Sequence, residues 1–351
     1  MTKVVIWAQS VCRSTMDLYR EVKKLRDDIG VTVVLRHDER GEDVRKLREA
    51  QGQGDYSDVV DREWDGEFNS GIEFLDLGAV HVFSGYQASR AVRELMVEAK
   101  RRGKRVVEYD EAPCEMCLGF KAWLKRLYYR FVLPKKVQKA VSAADLFISA
   151  SGNMGMDRLV RLGWKREAIV PFGYVSGKLA VSSQRLAVSG QQLEVEGMGL
   201  RVLHTGIEAK YRGVDVLKRA AMSLKRRGVE LEVKFTGGKV DAAQLSGLYE
   251  WADIVVACGL CEPWGMRVND VLLEGLPVVV SDGMGAAMLC DEFGCGCVVP
   301  KGDANALAAV LERCANDREF LAHLRSGAKM AAEEIAPEKR AKVWLNKVLG
   351  E

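Results

Sequence analysis

The chain has 351 residues, beyond the size at which one hydrophobic core usually keeps growing, so two domains of roughly 150 to 180 residues are expected. Its composition is 48% apolar, as in globular proteins, and a formal charge of only +3 on 52 basic and 49 acidic residues excludes a globally basic nucleic-acid binder. Nine cysteines, an odd number without a signal-peptide pattern, point to reduced thiols rather than a disulfide framework. The start reads as a strand, and no run reaches 18 apolar residues, so the expected location is the cytosol.

In chain order, Lys3 to Ala8 is an apolar strand, followed by a polar turn from Ser10 to Ser14 and a helix carrying Leu18, Val22 and Leu25. Val31 to Leu35 is a second strand; the polar stretch 36–71 reads as helix plus loop at best. Ala79 to Phe83 makes a third strand, Ser89 to Arg102 a helix, and Arg105 to Tyr109 a fourth strand running into Asp110 and Glu111. Strands alternating with helices predict a parallel sheet whose ligands bind at the strands' carboxyl ends. There, Ser10, Arg13, His81 and Tyr109 are acceptor-side candidates, although His81 also reads as a half-buried, satisfied strand histidine.

Lys121 to Lys139 carries seven Lys or Arg and no acid, interleaved with Trp123, Leu124, Leu127, Tyr128, Tyr129, Phe131 and Val132. Such a run can lie on an anionic membrane surface, or pack its aromatic face on the sheet and solvate its basic face. Pro134 divides it into two helical pieces. Asp145 to Ser149 and Ala168 to Phe172 complete the first domain, residues 1–175, and the small, polar stretch 176–198 reads as a linker.

The second domain, 199–335, opens with the strand Leu200 to His204, a loop through Gly206, Lys210 and Arg212 to Gly213, and a helix carrying Val214, Leu217 and Leu224. Val229 to Phe235 is a strand ending in Thr236 and Gly237; Ala242 to Trp251 is a helix. Asp253 to Cys258 is a buried strand, and the turn through Glu262, Pro263, Trp264 and Gly265 leads into a helix with Met266, Asp270 and Leu273 at helical spacing, stopped by Gly275. A helix entered from a glycine turn offers unpaired N–H groups and a positive dipole end, which suits a phosphate. Over eight residues of helix, Glu262 and Asp270 would stand about 12 Å apart, a nucleoside diphosphate's reach. Lys210 and Arg212 put two cations on the loop before the Val214 helix, either a solvated pair or, since a guanidinium can grip phosphate bidentately, a diphosphate clamp. Helices 319–334 and 337–349 follow. The cysteine pairs Cys114/Cys117, Cys258/Cys261 and Cys295/Cys297 could each be half of a zinc site, but no His accompanies any pair, and ordinary thiols are the favoured reading.

The run from Glu262 to Asp282 resembles the Glu-x7-Glu motif of the retaining glycosyltransferases of family four, glycosyl transferases group 1. Glu262, Pro263, Gly265, Gly275, Pro277 and Asp282 fall on that family's spacing, and Asp270 stands for the second Glu. Gly206 and Gly213 keep the spacing of the family's first glycine loop, with Arg212 for its Lys and Ile207 for its Arg; Tyr109-Asp110 replaces the usual His-Asp. The resemblance spans residues 200–335 closely and the first half in layout. It implies an α/β protein of the GT-B fold, two facing Rossmann-like domains with parallel sheets and an interdomain cleft, the last helix, within 336–351, crossing back to the first domain. It also implies transfer of a sugar from a UDP- or GDP-sugar, with retention, to a glycan, lipid-linked or small acceptor in glycoconjugate biosynthesis. Glu262 and Asp110 would be catalytic, and Gly206, Lys210, Arg212, Gly237, Trp264, Gly265, Met266 and Asp270 would bind the donor. No metal and no cofactor beyond the donor substrate is implied, and no nucleic acid. The rival readings are a nucleotide-sugar epimerase of the same fold and a catalytically silent binding subunit; a dehydrogenase is disfavoured because the first strand's turn lacks Gly-x-Gly-x-x-Gly.

Overall fold

The computed structural model describes residues 2–10, 12–26, 28–36, 56–114, 120–177, 199–207, 209–237, 240 and 242–351. Most of the linker, 178–198, lies outside them, as do Cys117 and half of the polar stretch 36–71. Two compact units emerge: residues 1–176 with 337–351, and residues 177–336.

The first unit is a seven-stranded parallel sheet in the order β3-β2-β1-β4-β5-β6-β7. Its strands are β1 (Thr2–Ala8), β2 (Ile29–Arg36), β3 (Arg62–Trp64), β4 (Val80–Phe83), β5 (Arg105–Asp110), β6 (Leu146–Ser149) and β7 (Ile169–Pro171). β3 escaped the sequence reading: with three residues paired only to β2, it is held by its neighbour rather than by any period-2 pattern of its own. Its Trp64 is nevertheless buried, edge-on to Trp7 of β1 at 5.4 Å.

Helices cover both faces, as an all-parallel sheet requires. On one face, α1 (Arg13–Lys24) and the chain's last helix pack Met16, Tyr19, Val22, Trp344 and Leu345 against Val4, Ile6 and Tyr109. On the other, a short helix α2 (Phe68–Gly71), α3 (Arg90–Arg101), α5 (Leu133–Ala143) and α6 (Met156–Arg161) bring Leu95, Met96, Val137 and Leu159 onto Val5, Trp7 and Phe147. Between β5 and β6 the chain runs through α4 (Phe120–Leu127), a single π-helical turn (Tyr128–Val132) and α5, whose first turn holds Pro134. The expected break at Pro134 is absent: helical residues run without interruption from Phe120 to Ala143, because the π turn absorbs the proline. Tyr128 and Tyr129 pack on the core beside Leu133 and Val137, while Trp123 is 52% exposed and Phe131 58%, and Leu124, Leu127 and Val132 are exposed too.

The second unit is a five-stranded parallel sheet, β12-β11-β10-β8-β9. It consists of β8 (Leu200–His204), β9 (Leu231–Phe235), β10 (Ile254–Ala257), β11 (Val278–Ser281) and β12 (Gly296–Val299). The intervening helices are α7 (Val214–Arg226), α8 (Ala242–Trp251), α9 (Met266–Leu273), α10 (Met288–Phe293), α11 (Ala304–Asn316) and α12 (Arg318–Glu334). Leu217, Leu224, Leu307 and Leu311 of α7 and α11 meet Val202, Val256 and Val279 in one core. The last helix, α13 (Pro337–Leu349), returns to the first unit, where Arg105 donates to the Val348 carbonyl at 2.8 Å.

In both sheets the winding direction reverses once, between β1 and β4 and between β8 and β10. Loops leave such a reversal in opposite directions and open a crevice at the strands' carboxyl ends. No helix of the described residues is long and apolar enough to cross a membrane.

Candidate functional site

In the second unit, the loops after β8 and β10 meet at that reversal. The Leu260 amide donates to the Tyr211 carbonyl at 2.7 Å, and the Cys258 thiol to the Gly213 carbonyl at 3.0 Å. Only glycine fits at 213: its φ is +73°, and a Cβ there would lie 1.8 Å from the Cys258 carbonyl oxygen. Gly265, at φ +104°, starts α9, and a Cβ would meet the Met284 methyl at 2.3 Å.

These loops enclose Glu262. Its amide donates to the Gly283 carbonyl at 2.8 Å, its carbonyl accepts from Gly285, and its carboxylate is buried. One carboxylate oxygen accepts from Arg212 Nη1 at 2.9 Å and the other from Arg267 Nη2 at 2.5 Å. Two guanidiniums on one carboxylate leave a net positive charge in a poorly hydrated place, where it acts over longer range than in water. Around them, Thr205 Oγ1, Arg212 Nε and Arg267 Nε are buried without a partner. His204, fully buried, makes no well-formed hydrogen bond through either ring nitrogen, though the nearby Arg212 backbone slightly favours a charged ring. Burial, and then Arg267, hold its pKa down to about 4, so the imidazole is neutral. Buried polar atoms in native structures are nearly always satisfied, which singles this set out as a candidate site.

The remaining donor-side candidates fall around this cluster or outside it. Gly206, at φ +100°, passes beneath Arg267 and donates to Thr236 Oγ1 at 2.8 Å, tying the β8 loop to the end of β9 beside Gly237. Lys210 is exposed on the 3-10 turn Lys210–Arg212, and Met266 is the first residue of α9. Trp264 is a correction: its indole is buried and donates to Asn269 at 2.7 Å, so it packs the turn and presents no surface to a ligand. The spacing argument for Asp270 also changes. It is half-buried on α9, but the helix begins only at Met266, so the residues back to Glu262 are a folded turn and not helical rise.

In the first unit, a cavity of about 150 Å³ opens at the carboxyl ends of β1, β4 and β5, lined among others by Ser10, Cys12, Tyr19, Tyr109, Asp110 and Tyr174. Asp110 accepts from the amides of Glu111 at 2.7 Å and Gly85 at 3.1 Å. Desolvation nevertheless outweighs those bonds and lifts its pKa to about 7. Tyr109 contributes its ring, while its hydroxyl donates to the Gly173 carbonyl at 2.8 Å. Glu108, two residues earlier on the same face of β5, is wholly buried with one carboxyl oxygen unpartnered; burial drives its pKa far up, so it is a neutral acid. Two acceptor-side candidates lie elsewhere. His81 is inside the core, where Trp7 Nε1 donates to its Nδ1 at 3.2 Å and burial lowers its pKa to about 4. Arg13 does not line the cavity and pairs with Asp17 on its own helix at 3.6 Å.

Sequence reasoning missed Arg267, His204 and Glu108. Arg267 had a signal: a cation in the first turn of a helix opposes the dipole, and such a local conflict marks a residue kept for another reason. Among the described residues no three His, Cys, Asp or Glu side chains gather as a metal site, and the described cysteines form no disulfide with one another.

The comparisons agree with this architecture. Residues 188–317 match the family model of glycosyl transferases group 1. The Anabaena protein HepE in complex with UDP superposes with a TM-score of 0.64 at 16% identity, over 100% of both chains. A glycosyltransferase from Rickettsia africae gives 0.63 at 12% identity over 99% of this chain and 98% of that one. The UDP-GlcNAc 2-epimerase from Neisseria meningitidis, bound to UDP-GlcNAc, gives 0.55 at 10% identity over 100% of both. No curated protein matches by sequence. The fold is GT-B.

Proposed function

We propose that the protein is a glycosyltransferase that takes a sugar from a nucleoside-diphosphate sugar held by residues 177–336. The observation that carries this is the Arg212–Glu262–Arg267 cluster at the mouth of the second sheet, beside the N-terminus of α9. Breaking the anomeric bond leaves growing negative charge on the diphosphate. Guanidiniums and helix amides already in place stabilise that charge more than the ground state. The matched family model covers this cluster, which supports transfer over the epimerase that shares the fold.

Glu262 would orient the transferred sugar, and Asp270 the ribose. Phosphate charge is met by Arg212, Lys210 and the start of α9, so turnover needs no divalent ion, and the family likeness supports retention. The polar cavity beside Asp110 suits a hydroxylated acceptor. The exposed Trp123, Leu124, Leu127, Phe131 and Val132, set among cations with no acid, suit an anionic membrane surface that presents a lipid-linked one.

A panel of UDP- and GDP-sugars, read by thermal shift and by release of nucleoside diphosphate with and without acceptor lipids, tests the reading. A bound donor at 100 times its Kd adds about 2.7 kcal/mol of stability. Conversion of a donor to its epimer without acceptor would replace transfer by epimerisation, and failure of every nucleotide to bind would leave a silent subunit.

A further inference from the structure

The two cations on Glu262 are held with unequal firmness. The Arg267 side chain is 9% exposed, leaves the first turn of α9, and donates its other terminal nitrogen to the Thr205 carbonyl at 3.0 Å. Arg212 is 27% exposed and stands on a three-residue 3-10 turn, resting beyond Glu262 on the ring of its neighbour Tyr211 at 5.1 Å. They also use different oxygens, so either can leave without disturbing the other's bond. Moving Arg267 would break two buried bonds and leave Glu262 only the more exposed Arg212, whereas moving Arg212 would break one and leave Glu262 neutralised by the buried Arg267.

We propose that Arg267 is a positioning residue that keeps the Glu262 carboxylate fixed, while Arg212 is an exchangeable partner that leaves Glu262 for the phosphates of a nucleoside diphosphate. The exchange keeps charge balanced: a triad with one excess positive charge becomes a neutral Arg267–Glu262 pair and a separate Arg212–phosphate pair. The Arg212 Nε–H, buried without a partner, then finds a phosphate oxygen. This deepens the donor-site reading and rests on it.

Calorimetric titration with UDP and GDP, alongside steady-state kinetics, separates the two roles. Arg212→Gln should weaken nucleotide binding roughly tenfold or more, with KM rising to match. Arg267→Gln should leave nucleotide affinity within about threefold and lower kcat about 100-fold, with Arg267→Lys restoring part of it. Because Arg267 acts through Glu262, adding Arg267→Gln to Glu262→Gln should cost no further kcat. Loss of nucleotide affinity in Arg267→Gln equal to that in Arg212→Gln, or additive kcat losses in the double variant, overturns the proposal. Should Arg267→Gln unfold, double-mutant cycles in Tm decide, through Arg267→Lys with Glu262→Gln and Arg212→Lys with Glu262→Gln. Coupling must be larger for the 267 pair, and the reverse order overturns it. If wild type binds neither nucleotide, the donor reading fails, and the thermal cycles still test which arginine holds Glu262.

Discussion

The two crevices occupy the same place in two like-wound sheets and have opposite electrostatics. In the second unit the strand ends gather Arg212 and Arg267 around one carboxylate, with Lys210 close by. In the first they gather carboxyls, with Glu108, Asp110 and Glu111 all pushed toward the neutral form by burial, and Ser10, Cys12 and tyrosines as neighbours. Topology therefore decides where each crevice opens, and side-chain chemistry decides its charge. A cationic crevice suits a diphosphate. A crevice of hydroxyls and weakly ionised acids suits a neutral polyol, and Asp110, poised near pH 7, can accept its proton.

The largest expected effect tests the cationic side. Glu262→Gln should lower kcat about 10²–10³-fold while the protein stays folded, measured by nucleotide release and circular dichroism. Glu262→Ala is a harsher change than its turn location alone suggests. It leaves the buried Arg267 and the part-exposed Arg212 without their anion and should cost about 3 kcal/mol, seen as a large drop in Tm. Near-wild-type turnover by Glu262→Gln would end the comparison on that side.

Next comes the acidic side. Asp110→Asn should remove an inflection near pH 7 from the kcat profile. Stability sharpens the point. The folded pKa of about 7 lies above the unfolded value of about 3.9, so the folded chain holds the extra proton between them. This group's contribution is fully present below pH 4 and is lost as the pH rises through 7; Glu108 and Glu111, also raised, slope the same way. Denaturant melts from pH 4 to 8 should show that decline, shallower in Asp110→Asn.

A smaller effect concerns the exposed helix. Co-sedimentation with anionic vesicles should fall steeply with salt and vanish in Lys125→Glu/Arg126→Glu/Arg130→Glu, while nucleotide binding is unchanged. If wild type stays in the supernatant at low salt, the acceptor arrives from solution. The smallest expected effect is that of EDTA, which should leave turnover unchanged; an absolute Mg²⁺ or Mn²⁺ requirement would show that the guanidiniums do not suffice.

Much of this was legible in the chain because it rests on local pattern. Apolar runs such as Ile254–Ala257 and glycine stops such as Gly213 and Gly275 report the strands, the helix ends and so the winding. Glu262 and Arg212 were visible through motif spacing, and their pairing was not, because 50 residues separate them and only the fold closes that distance. Trp264 misled for a related reason, and His81 follows its alternative reading as a satisfied strand histidine. Both stand where a ligand could be, yet a buried indole or imidazole needs a partner, and Asn269 and Trp7 provide one. Burial decides such cases, and burial is a property of the folded chain.

The return of α13 to the first unit has a consequence for the order of events on the ribosome. Trp344, Leu345 and Val348 belong to the core built on β1 and α1, and Arg340 bonds the Phe172 carbonyl at the end of β7. Those four side chains are made after residues 177–336, whose own sheet needs nothing later in the chain. During synthesis the second unit can therefore close while the first, although begun earlier, still lacks one layer of one face. Its apolar surface stays open until the final helix emerges, so nascent chains of this protein offer chaperones a binding face at the N-terminal unit last of all.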